Sequence, residues 1–191
     1  MTLDELIAKI KSDSPDTRTE AWQKAGQIGA PAVKPLAKLV ATGELEVGRA
    51  AKRGMFKIVR TVGAPGVAAD QRQAVERELA DLLGDDQPVA VRREVLWMIS
   101  ELCGGKGSIP DKIAGLLGNK ELREDARCCL ERIPGDKSLE LLKAALESVP
   151  DDFKINIAQS LRARGVEVSE EKYPCRKLVP TKKTSVKPVG R

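Results

Sequence analysis

Apolar residues recur along this chain three or four positions apart, the spacing of a helix face, and they do so five times in one register. Counted from a basic residue as position zero, the residues three, seven, ten and eleven further on are Ala21, Ala25, Ile28 and Gly29 after Arg18, and Met55, Val59, Val62 and Gly63 after Lys52. The same positions hold Val95, Ile99, Leu102 and Cys103 after Arg92, then Ala126, Leu130, Ile133 and Pro134 after Arg123, and finally Ile157, Leu161, Arg164 and Gly165 after Lys154. The basic residues lie 34, 40, 31 and 31 apart, a period that marks arrays of stacked helix pairs.

Each of these motif helices has a shorter companion. Thr2 with Glu5 forms a capping box ahead of Leu3, Leu6, Ile7 and Ile10, and Ser14-Pro15 opens the first motif helix, which is expected to run to Gly29. Val33, Leu36, Leu39 and Val40 form the next apolar face, closed by Gly43. Val75, Leu79, Leu82 and Leu83 precede Gly84, Pro88 opens the third motif, and Ile113, Leu116 and Leu117 end at Gly118. Leu139, Leu142 and Leu146 follow the fourth motif, and Pro150-Asp151 opens the fifth. No stretch outside the C-terminal end alternates apolar and polar residues, so the fold predicted is all-α. A single pair of this kind exposes apolar surface on both sides and is stable only when neighbours stack on it. Alanines at 21, 25 and 126 fit that picture, since small side chains let helices approach closely.

The segment Asp16–Leu36, with Arg18, Ala21, Ala25, Ile28-Gly29 and then Ala32-Val33-Lys34-Pro35-Leu36, resembles the HEAT repeat family, in the short form first described in phycobilin lyases. Val91-Arg92 and Leu122–Ala126 match more loosely, and the second motif departs from the pattern with Gly54 in mid-helix and a long connection from Ala64 to Ala69. The resemblance implies an α-solenoid of about five helix pairs over residues 1–165, with the motif helices lining its concave face. It implies little about function, because such repeats serve many partners. Residues 166–191 are expected to be a disordered or extended, proline-containing basic tail, with no stabilising contribution from Lys172 onward.

Composition narrows the function classes. The chain has no histidine, which removes the commonest general base and metal ligand. No catalytic residue, metal or cofactor is therefore expected. Apolar runs are far shorter than the roughly 20 residues of a membrane span, and Met1 leads into Thr2-Leu3-Asp4-Glu5 without an apolar leader. Four cysteines form no C-x-x-C pair and read as reduced structural thiols of a soluble, cytoplasmic protein with no membrane partner.

Charge points to where binding would occur. Of 33 basic and 28 acidic residues, seven basic and no acidic ones fall between Lys172 and Arg191, leaving the body slightly acidic at 26 against 28. Against that background Arg49, Arg53, Lys57 and Arg60 share one helix face, in a stretch from Val47 to Ala69 without an acid. Like charges at these spacings destabilise a bare helix. Either Glu20 and Glu94 on adjoining helices neutralise the stripe, or an anionic partner does. Trp97 and Arg93 are candidate concave-face contacts, with Trp97 and Trp22 either surface anchors or core residues. In the tail, Arg176, Lys177, Lys182, Lys183 and Lys187 make either a solubilising end or a recognition arm. The position-zero residues read as structural braces, with Asp16, Glu121 and Asp152 as partners for three of them. Together these features point to a non-enzymatic protein-binding scaffold or adaptor for an acidic or helix-presenting partner. The alternative is a nucleic-acid-binding HEAT-like module, and after it a HEAT-like-repeat DNA glycosylase, for which two tryptophans and few concave aspartates are too few.

Overall fold

The computed structural model describes residues 1–175, and all regular structure among them is helical. Ten α-helices occur in order: α1 (Leu3–Ile10), α2 (Pro15–Lys24), α3 (Val33–Thr42), α4 (Leu45–Val62), α5 (Ala69–Asp81), α6 (Val89–Leu102), α7 (Ile109–Ala114), α8 (Arg123–Arg132), α9 (Asp136–Ser148) and α10 (Asp151–Ala163). Among the described residues no helix is long and apolar enough to cross a membrane.

The ends form where the local chemistry dictates. Thr2 Oγ1 accepts from Glu5 N at 3.2 Å while Glu5 Oε2 accepts from Thr2 N at 2.8 Å, so two otherwise unpaired helix donors are satisfied. Ser14 caps α2 by accepting from Thr17 N, and Pro15 takes the first helical position, where its missing N–H costs nothing. The α2 helix stops at Lys24 rather than reaching Gly29; a turn of 3₁₀ helix, Ala25–Gln27, carries the chain to Gly29, whose φ of 71° reverses it.

The five motif helices, α2, α4, α6, α8 and α10, pack in succession on one another. Their companions close the other side, with α3 on α4, α5 on α6, α7 on α8, and α9 on both α8 and α10. One apolar core runs through the whole set, from Leu6 and Ile10 to Ile157 and Leu161, each fully or almost fully buried. The alanines at 21, 25 and 126 are completely buried, as close helix approach requires. Gly54 plays the same part in mid-helix. A Cβ there would meet Leu36 Cδ1 at 3.2 Å and the Ala25 methyl at 3.5 Å, so its absence lets α4 close on α3 and on the turn after α2.

The position-zero residues act as braces, through partners other than the expected acids. Arg18 Nη1 donates to the Ser12 carbonyl at 2.6 Å, Lys52 pairs with Glu94, and Arg92, almost wholly buried, pairs with Asp85. Arg123 reaches Asp152 at 2.7 Å and lies over the Phe153 ring, while Lys154 pairs with Asp151. Asp16 and Glu121 make no ion pair among the described residues, and Asp152 serves Arg123 across the interface rather than Lys154. Arg18, Arg92 and Lys154 find partners in the chain segment just before them, while Lys52 and Arg123 reach acids on the next motif helix.

Two arginines at the C-terminal end were not legible as structural. Arg164 occupies the tenth motif position, apolar in the other four, and its guanidinium donates to the carbonyls of Leu130, Glu131, Ile133 and Gly135 and to Ser138 Oγ. These include the end carbonyls of α8, which have no partner within their own helix. Arg162 Nη2 donates to the Tyr173 carbonyl at 2.5 Å and more weakly to those of Val168 and Ser169. Tyr173 is buried, and Val166 and Val168 pack against the core. The expectation that everything after Lys172 is independent of the body therefore fails at Tyr173: its ring is apolar enough to dock, and Arg162 collects the carbonyls of the loop that brings it back. Arg176, Lys177, Lys182, Lys183 and Lys187 lie outside the described residues.

Two stability measurements test this packing. Leu130, with no exposed surface, sits on α8 between α6 and α10, so Leu130→Ala is expected to cost about 2–5 kcal/mol in denaturant unfolding. A chain ended after Lys172 is expected to melt several degrees below one ended after Cys175, each kcal/mol of lost packing being worth roughly 2–4 °C at this size. Equal melting temperatures would show that Tyr173 contributes nothing.

Candidate functional site: the exposed face of α4 and α6

Residues on α4 divide cleanly by side. Ala50, Ala51, Gly54, Met55, Ile58, Val59 and Val62 are buried, while Arg49, Arg53, Lys57 and Arg60 are exposed on the opposite side. Because α4 packs on α2 and α6 as well as on α3 and α5, its exposed strip lies between neighbours whose own side chains border it.

The expected internal neutralisation of the strip does not occur as read from sequence. Glu20 is taken by Lys24 and Lys9, and its hydrogen bond from Lys24, with the charges of both lysines, holds its carboxyl below the usual range. Glu94 is taken by Lys52. The acids that do reach the strip touch only its ends: Glu46 pairs with Arg49 at 2.7 Å and Glu101 with Arg60 at 3.8 Å. Arg60 also lies over the Phe56 ring, 5.3 Å from its centre. Arg53 and Lys57, one helical turn apart in the middle, have no acidic partner among the described residues. As i,i+4 neighbours their Cβ atoms lie roughly 5–6 Å apart, less than the Debye length of about 8 Å at physiological salt, so their like charges repel.

Two ion pairs fix the register of α4 against α6: Lys52 with Glu94 near one end and Arg60 with Glu101 near the other. Lys57 stands three residues before Arg60 and Trp97 four residues before Glu101, so both lie one turn back from the same rung. Trp97 stands at the same level of α6 as Lys57 does of α4, each five residues past the basic residue of its motif. The residue is 47% exposed, and the Arg132 guanidinium of α8 lies over its ring, 4.4 Å from the ring centre. Arg93, the other candidate on α6, is committed elsewhere: it donates to the Glu121 carbonyl at 2.7 Å and pairs with Asp125, tying α6 to α8. It frames the face rather than offering a free charge. Trp22 is partly buried against the core, with its indole N–H buried and unpaired.

Burial pushes the thiols of Cys103, Cys128 and Cys129 up, which disfavours the reactive thiolate, and the four cysteines are unpaired. What the face offers is fixed positive charge beside an exposed aromatic ring. Arg53, Lys57 and Trp97 were legible from spacing alone. Arg132 was not, because it falls between the register positions Leu130 and Ile133 and its role depends on α8 lying against α6. Models of known protein families give no match to this chain, and a search of curated proteins gives none either.

The like-charge contact in mid-strip has a measurable cost. Arg53→Glu converts it into a Glu–Lys pair in the favourable order, and is expected to raise stability by about 0.4–1 kcal/mol in denaturant unfolding. A loss of stability would reveal an intramolecular partner for Arg53.

Proposed function

We propose that this chain is a non-enzymatic binding scaffold, a short HEAT-like α-solenoid that holds an acidic segment of a partner protein on the exposed face of its motif helices. The observation that carries this reading is the pair Arg53 and Lys57: exposed, a turn apart, without an acid among the described residues, in a molecule where Arg18, Lys52, Arg60, Arg93 and Arg123 on the motif helices find carboxylates or carbonyls. Such a charge arrangement costs stability and is kept where it meets a complementary partner. The succession of motif helices packed on one another, each repeating the same register, supports the solenoid reading. Cysteines without disulfides suit a reducing compartment, the cytoplasm.

Capture experiments from the source cell distinguish the partner class. The double variant Arg53→Glu/Lys57→Glu, both changes lying on an exposed face, is expected to keep the fold and lose a nuclease-resistant protein partner that the wild type retains. A partner released by nuclease, with affinity falling by roughly 0.7–0.9 log units per log unit of salt for each phosphate neutralised, would replace the protein-binding reading with a nucleic-acid one.

A further inference from the structure

Among the described residues only two large apolar side chains are strongly exposed, Leu45 and Trp97. Leu45 stands at the first residue of α4, where the helix begins. Trp97 is different. It sits in mid-helix on α6, and Arg132 from the neighbouring helix holds its ring in place. The cations around it are unequal in a telling way. Arg93 is paired with Asp125 and Arg60 with Glu101, whereas Lys57 and Arg53 on the α4 side and Arg132 on the α8 side have no carboxylate among the described residues. A half-exposed tryptophan thus stands on the middle helix of three, with uncommitted positive charge on both flanks.

We infer that Trp97, preorganised by Arg132, is the apolar anchor of this surface, and that the segment it receives is an acidic peptide carrying one apolar side chain between its acids. This rests on the binding reading above and specifies its ligand. Packed helix axes lie about 8–10 Å apart, so the free cations of α4 stand about one helix spacing from Trp97, whereas the Arg132 guanidinium of α8 lies only 4.4 Å from the ring centre. An extended chain advances roughly 3.3 Å per residue, which places acids about three residues from the apolar side chain on the α4 side and about one or two residues from it on the Arg132 side. The acids pair with Arg53 and Lys57 at one end and with Arg132 at the other. The apolar side chain covers the open part of the indole and dries the Arg132–Trp97 contact, which strengthens as water leaves. Tryptophan and arginine at the centre of a patch, ringed by charges, are the residue types that dominate binding at protein interfaces.

The test uses the full chain and two fluorescein-labelled peptides of about twelve residues, rich in glutamate and glycine, one with a single leucine at its centre and the other with glycine there. The leucine peptide is expected to bind the wild type at least about tenfold more tightly, as a buried leucine is worth. Trp97→Ala should abolish that difference while leaving the glycine peptide's affinity unchanged, and Arg132→Gln, at an exposed position, should reduce it. Arg53→Glu/Lys57→Glu should weaken both peptides. Equal binding of the two peptides to the wild type, or a leucine preference that survives Trp97→Ala, overturns the anchor while leaving acidic binding standing. Binding of neither peptide, or of both with no effect from Arg53→Glu/Lys57→Glu, overturns the acidic-segment reading and the anchor with it. A single-stranded oligonucleotide that outcompetes the leucine peptide at equal charge, and does so through Trp97, overturns the peptide assignment.

Discussion

Everything in this molecule depends on apolar seams shared between successive motif helices. With aromatic residues at only 3% of the chain, the core rests on leucine, isoleucine, valine and alanine, whose burial is worth roughly 25 cal/mol per Å² wherever it occurs. No helix here can bury its face against its own companion alone. The α4 helix shows this most clearly, since its buried side meets α2 and α6 along the row and α3 and α5 behind. Fully buried alanines and Gly54 set how near the helices come, and the outward side chains inherit their positions from that spacing.

A second layer of interactions decides which outward residues are free. Lys52–Glu94, Arg60–Glu101, Arg93–Asp125 and Arg123–Asp152 each join one motif helix to the next. As exposed or half-exposed ion pairs, such rungs contribute little stability, commonly below about 1 kcal/mol, but they fix the sliding of one helix along its neighbour. The gap in this ladder is at Arg53 and Lys57. A charge left unmatched among the described residues, beside an aromatic residue left half-exposed, is the physical content of the proposed interface.

The sequence made the helix register legible because burial imposes a 3.6-residue period that needs no knowledge of the partner helix. Helix starts were legible for a similar reason: Thr2-x-x-Glu5 and Ser14-Pro15 act within one turn. What stayed hidden were interactions between helices. Acids two positions before a cation looked like its partners, yet Arg18 took a carbonyl and Arg123 took Asp152 from α10. The reach of a side chain across a groove depends on the spacing of two backbones, which one segment of sequence does not record. The same limitation concealed Arg132, whose place over Trp97 exists only once α6 and α8 are packed, and Tyr173, an isolated aromatic with no period to announce its burial.

Arg164 changes the chemistry of one repeat position and, with it, the order in which the array can come apart. Where the other motifs place an apolar residue or close on their own turn, this one sends a guanidinium from the end of α10 to the carbonyls between α8 and α9. In stacked helical arrays the terminal unit is ordinarily the first to fray, because it has a neighbour on one side only. Here the last unit holds closed the turn of the unit before it, and that turn opens only when α10 has detached. The opening of α10 and that of the turn between α8 and α9 are accordingly coupled, the turn inheriting its protection from the docking of α10.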